Sequence, residues 1–139
     1  MIILDTNVLS EVLKAKPDPQ VISWVSSLPS TYLFTTTITR GELLYGVFIM
    51  PRGKRRQELH SVIKDLFEID FANQILGFDN AAADSYAEIA ASRKALGQPI
   101  SQFDAMIAAI AHSRGASLAT RNTKDFLDCD ISIIDPWLN

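Results

Sequence analysis

The chain has 139 residues, 47% hydrophobic and 21% charged, which fits one folded domain with a real core and excludes a disordered segment. Its 13 basic and 16 acidic residues leave a formal charge of −3, which excludes a protein that holds nucleic acid by bulk positive charge; a nucleic-acid site must come from a local patch or from metal ions. One cysteine, Cys129, excludes an intrachain disulfide and argues against a thiolate zinc site, and no apolar run approaches the roughly 20 residues of a membrane helix. The N-terminus lacks the basic start of a signal peptide, so a cytoplasmic protein is expected.

Ile2-Ile3-Leu4 is a short β-branched run that stops at Asp5-Thr6-Asn7, and Val8, Leu9, Val12 and Leu13 follow at helical spacing. The chain therefore opens as strand, acidic corner, helix. Asp5 is read in two ways there: as a helix cap, or as a functional acid at the carboxyl end of a central strand. Pro17 and Pro19 enforce a loop, and Pro19 can open a second helix with Val21, Ile22, Trp24, Val25 and Leu28. Tyr32–Thr35 reads as the second strand. Thr39-Arg40-Gly41-Glu42 matches a capping box ahead of an apolar helix through Ile49, so Glu42 is either a capping side chain or a functional acid.

Arg52, Lys54, Arg55 and Arg56 form the one basic cluster, at the start of a helix expected to reach about Phe67. Such a run is either a solvated face or a phosphate contact. Ile69 with Phe71, and Ile75 to Phe78, are short apolar pieces of strand or packed loop. Asp79 or Asn80 caps an alanine-rich helix over residues 81–96, which Gly97 and Pro99 end. Ser101-Gln102-Phe103-Asp104 opens a nearly all-apolar helix over residues 105–114, closed by Gly115. Ser117–Ala119 and Ile131–Ile134 are the last strands. Alternation of short strands and helices predicts an α/β domain with a parallel sheet, undivided over residues 1–139.

Asp5, Glu42 and Asp104 each begin an otherwise apolar helical element, and Asn122 or Asp125 follows a strand in the same manner. If the ends of these elements converge on one crevice, the carboxylates repel one another and their pKa values rise. A bound divalent cation removes that conflict, and carboxylate oxygens with retained waters suit Mg²⁺ or Mn²⁺. Such a centre is fitted to phosphodiester hydrolysis. No phosphate-cradling glycine loop is present, and neither His60 nor His112 belongs to a nucleophile arrangement visible in the sequence. A phosphatase using Asp5 as nucleophile lacks the usual second acid two residues on, where Asn7 stands.

The ordered set LDTNVLSE, TTTITRGELLYGV, PISQFDAMIAAIA, LATRNTKDF and IIDPW resembles PIN-domain proteins, and more narrowly the VapC toxins of bacterial type II toxin–antitoxin modules, in their FitB-like branch. The resemblance covers essentially the whole chain. It implies a PIN-like three-layer α/β/α sandwich with a short, mainly parallel sheet, and a Mg²⁺- or Mn²⁺-dependent endoribonuclease. Asp5, Asp104 and Glu42 would be the metal-binding acids, with Asn122 or Asp125 at the fourth position. Asn122 stands where many members have Asp, which bears on whether a second ion is held without substrate. Thr6, Asn7 and Thr120 would orient the carboxylates, and Arg121 or Lys124 would touch the RNA backbone. The resemblance also implies a homodimer, a cognate VapB-type antitoxin, and operator DNA reached through the antitoxin complex. The rival reading is a non-cleaving PIN-like module that binds RNA or a partner.

Overall fold

The computed structural model describes residues 1–139. Its centre is a five-stranded sheet in the order β3-β2-β1-β4-β5. The strands are β1 (Ile2–Leu4), β2 (Leu33–Thr36), β3 (Ile75–Leu76), β4 (Ser117–Ala119) and β5 (Ile133–Ile134). Every pairing is parallel, with Ile3 opposite both Phe34 and Leu118. Parallel strands need crossovers; six α-helices supply the first three, and a 3₁₀ turn at Thr123–Phe126 lies in the last, from β4 to β5. The helices are α1 (Thr6–Val12), α2 (Pro19–Ser26), α3 (Thr37–Phe48), α4 (Lys54–Asp65), α5 (Asn80–Ala95) and α6 (Gln102–Ser113).

Alternation along β1 and β4 sends successive side chains to opposite faces of the sheet. Ile3 and Leu118 enter a core with Ile89, Ile107, Ile110 and Phe126, beneath α5 and α6. Leu4 and Ala119 enter another with Val8, Leu9, Val21, Val47, Ile63 and Phe67, beneath α1 to α4. The result is the expected three-layer α/β/α arrangement. Chain order runs outward from β1 through β2 to β3, then returns to the other side of β1 as β4. The carboxyl ends of β1 and β4 therefore flank a switch point, the place where open parallel sheets leave a crevice.

Local expectations shift in three places. The cap of α3 is Thr36, whose hydroxyl accepts from the Thr39 N–H at 3.1 Å, so the helix starts before the Thr39 capping box and Glu42 lies in its second turn. Tyr32 ends a 3₁₀ turn and is exposed, leaving β2 to begin at Leu33. Residues 66–70 form a π-helical turn where a strand or a packed loop is expected around Ile69 and Phe71, and burial of Leu66, Phe67 and Phe71 fixes it against the core.

Candidate metal centre

Asp5 is the first residue beyond β1 and the cap of α1. Its Oδ1 accepts from the Thr6 N–H at 2.8 Å. Its Oδ2 accepts from the Thr120 hydroxyl at 2.8 Å and from the Asn7 amide at 3.2 Å. The side chain of Asn7 also donates to Thr120 Oγ1 at 3.1 Å and accepts from the Arg121 N–H at 3.1 Å. The ends of the two central strands are thus sewn together around one carboxylate. Asp5 is only 4% exposed. Burial pushes its pKa up from 3.8 to about 6, opposed by the Thr120 and Thr6 bonds and assisted by the charges of Asp104 and Glu42.

Glu42 reaches the same region from α3. Its Oε1 accepts from the Thr6 hydroxyl at 2.8 Å, and Thr6 continues to the buried Thr39 hydroxyl at 3.0 Å. Asp104 sits in the first turn of α6, where its N–H donates to the Ser101 cap at 3.3 Å. Its carboxyl is also raised, first by burial and then, against the Ser101 hydrogen bond, by the charge of Asp125. All three acids line one open cavity of about 410 Å³, together with Thr6, Asn7, Ser10, Glu11, Lys14, Arg121, Asn122 and Trp137. Convergence of elements far apart in sequence is therefore met.

The acids do not form a closed cage. No group of three or more His, Cys, Asp or Glu side chains is gathered closely enough to hold an ion alone. The donor set fits a hard cation all the same: the cavity is lined by carboxylate, hydroxyl and amide oxygens and by no His or Cys. Mg²⁺ is commonly held by one or two carboxylates and keeps several waters, which suits this spacing.

Asn122 lines the cavity, its N–H donating to Thr120 Oγ1 at 3.1 Å. Asp125 does not line it; its charge bears on Asp104, while its carbonyl accepts from the buried Arg93 at 2.8 Å. Lys124 is exposed and also off the cavity wall, whereas Arg121 is on it. The sequence reading misses Ser10, Glu11, Lys14 and Trp137. A signal existed for three of these: with Asn7 they form a polar stripe at helical spacing along α1 and the turn that follows it. Glu11 is buried, and Lys14 at 2.9 Å with the Asp18 N–H at 3.0 Å holds its carboxyl below the usual range. Trp137 has no such signal, since it arrives from the end of the chain.

His112 keeps the structural role expected of it. Its Nδ1 lies 2.9 Å from Ser85 Oγ and its Nε2 3.4 Å from Asp130 Oδ2. Ser85 is buried and Asp130 almost wholly exposed, so the trio ties α5, α6 and the following loop together instead of presenting a nucleophile.

A parallel sheet whose switch point holds inward-facing carboxylates defines a class, and sequence comparison identifies it. The family model described as "PIN domain" matches residues 2–131. The chain belongs to the PIN-domain family. Among its relatives, VapC ribonuclease Y4jK of Sinorhizobium fredii is 39% identical over 137 residues, covering 99% of this chain and 98% of that one. The crystal structure of FitAcB from Neisseria gonorrhoeae includes a chain 37% identical, with a TM-score of 0.93 and 99% of both chains covered. A chain of the DNA-bound VapBC structure from Salmonella typhimurium is 28% identical, with a TM-score of 0.80 and 97% of both chains covered.

Proposed function

We propose that this protein is the toxin of a VapBC-type toxin–antitoxin module and a metal-dependent endoribonuclease that hydrolyses RNA phosphodiester bonds. The observation that carries this reading is the burial of Asp5 in one cavity with Glu42 and Asp104. A carboxyl raised by burial and by neighbouring negative charge binds a proton too tightly, and the same field attracts a divalent cation. Asp5 and Asp104 would be the principal holders of Mg²⁺ or Mn²⁺, with Glu42 as the third acid of the centre. Bound there, the ion supplies a Lewis acid for the scissile phosphate and neutralises the crowded carboxylates.

The remaining work falls to the chain. Thr120, Asn7 and the Thr6 N–H fix both Asp5 oxygens, so the carboxylate does not rotate as substrate arrives. Thr6 fixes one oxygen of Glu42 with its hydroxyl. Asn122 presents an uncharged amide at the fourth position, so a second ion would arrive with the RNA phosphate.

The FitAcB and DNA-bound VapBC complexes support the partner readings: a VapB-type antitoxin holds the toxin inactive, and the joint complex reaches operator DNA. A homodimer is part of the same reading. Helix α3 buries Val47 yet leaves Tyr45 66%, Phe48 54% and Ile49 65% exposed, an apolar side free for such contacts. No helix is long and apolar enough to cross a membrane, consistent with action in the cytoplasm.

The test is cleavage of total RNA by purified, antitoxin-free protein. Cutting with Mg²⁺ or Mn²⁺ that stops with EDTA and with Asp5→Asn supports the proposal. RNA that is bound but stays whole under both metals would favour a non-cleaving binding module.

A further inference from the structure

The cavity has two walls of opposite character. Asp5, Glu42 and Asp104 make one; Lys14 and Arg121 stand on the lining as its only cations. The two cations are in different states. Lys14 is already engaged by Glu11 at 2.9 Å. Arg121 takes part in none of the four ion pairs of the protein. Its guanidinium instead lies over the ring of Trp137, with its carbon 5.0 Å from the ring centroid. A planar guanidinium stacked on an indole keeps its N–H edge free to fork onto a phosphate.

The indole is well placed to be a platform. Trp137 packs against the core beneath α1 to α4, and its backbone N–H donates to Asp135 Oδ1 at 2.9 Å. Buried Pro136 precedes it. The backbone of Arg121 is fixed as well, through the Asn7 side chain that also donates to Asp5. One side-chain amide therefore braces both the buried acid and the backbone from which the unpaired cation extends. A long, flexible arginine at the mouth of a cavity normally loses considerable rotamer freedom on binding, and stacking removes part of that cost beforehand.

We propose that Arg121 seats a phosphate of single-stranded RNA beside the one held at Asp5, and that Trp137 is the positioning residue that presents Arg121 to it. This rests on RNA being the substrate class, and it separates Arg121 from Lys124, which the cavity does not include.

The experiment measures binding of a short fluorescein-labelled single-stranded RNA by anisotropy with Ca²⁺, an oxygen-seeking divalent ion, in place of Mg²⁺, over a range of salt, with the full chain and its variants. Arg121→Ala should weaken binding roughly five-fold at moderate salt and make the slope of log K against log salt shallower by about 0.7, the loss of one phosphate contact. Trp137→Leu, which keeps apolar packing but removes the π face, should weaken binding by roughly three-fold. Combined with Arg121→Ala it should add nothing, and Trp137→Phe should restore most of the affinity. A purely structural tryptophan would give additive losses.

Unchanged affinity and slope in Arg121→Ala, additive losses in the double variant, or wild-type protein that binds no RNA overturns the inference. Cleavage with Mg²⁺ is assayed in parallel. If the binding pattern holds and the RNA is never cut, the subsite stands and the nuclease reading falls. If cutting occurs with an unaltered slope in Arg121→Ala, the reverse is true.

Discussion

Two helix starts in this protein carry the same cap and meet different fates. Asp79 caps α5, its Oδ1 accepting from the Ala82 N–H at 2.9 Å while Oδ2 lies 3.8 Å from Arg114 in open solvent. Asp5 also caps its helix, α1, through the N–H of the adjacent Thr6, but it directly follows a central strand as well. There Thr120 of the neighbouring strand closes over it, and α3 and α6 bring two more carboxylates to the same cavity. Capping is thus a shared background role. Burial at a sheet switch point is what turns one cap into a carboxylate whose pKa is pushed up.

The comparison breaks most sharply at Asp5→Asn against Asp79→Asn. The first should lower RNA cleavage by more than about 100-fold, beyond what loss of a merely supporting contact costs. The second should leave cleavage within roughly two-fold, because its charge faces solvent. Equal losses in a metal-dependent cleavage assay would show that the two caps differ only in name.

Stability without metal should sharpen it next. Asp5 binds its proton more tightly folded, with a pKa of about 6, than in the unfolded chain at 3.8. The folded state therefore holds more protons across that window, so this group favours folding below pH 3.8 and that favour is lost as pH rises to about 6. The loss is roughly 3 kcal/mol at neutral pH. Asp104 acts in the same direction. Asp5→Asn, which keeps the acceptor for Thr6, should recover much of it in EDTA at pH 7 and flatten the profile between pH 4 and 6. Urea unfolding at several pH values measures this; a variant less stable than wild type at pH 7 would contradict it. Added Mg²⁺ should stabilise the wild type and leave Asp5→Asn unmoved.

Thr120→Val removes a bond that lowers the Asp5 pKa while keeping the side chain's shape. Metal affinity should fall by about 10- to 100-fold. The acid limb of the cleavage profile should move to higher pH, because Asp5 then holds its proton longer. A limb that stays in place would place Thr120 outside the control of Asp5. The smallest effect belongs to Asp79→Ala, which should cost about 1 kcal/mol in thermal unfolding through loss of a cap, with cleavage unchanged.

Much of this could be read along the chain. The abrupt stop of Ile2-Ile3-Leu4 at Asp5, the Ser101 cap ahead of Asp104, and the run of short apolar strands each depend on neighbours within a few residues. Local chemistry decides such features, so sequence determines them. The start of α3 was misplaced because Thr36 and Thr39 are equally good caps in isolation; bonding of the buried Thr39 hydroxyl to Thr6, 33 residues away, favours Thr36. The ordered acids named a family by resemblance, and the alternation of elements named the sheet. Only the tertiary structure decided how far each acid is buried, that Asn7 braces both Asp5 and Arg121, and that Trp137 returns from the chain's end to the rim of the cavity. The Asn7–Arg121 contact joins residues 114 positions apart, and burial, like electric field, belongs to the assembled surroundings and to no single stretch of chain.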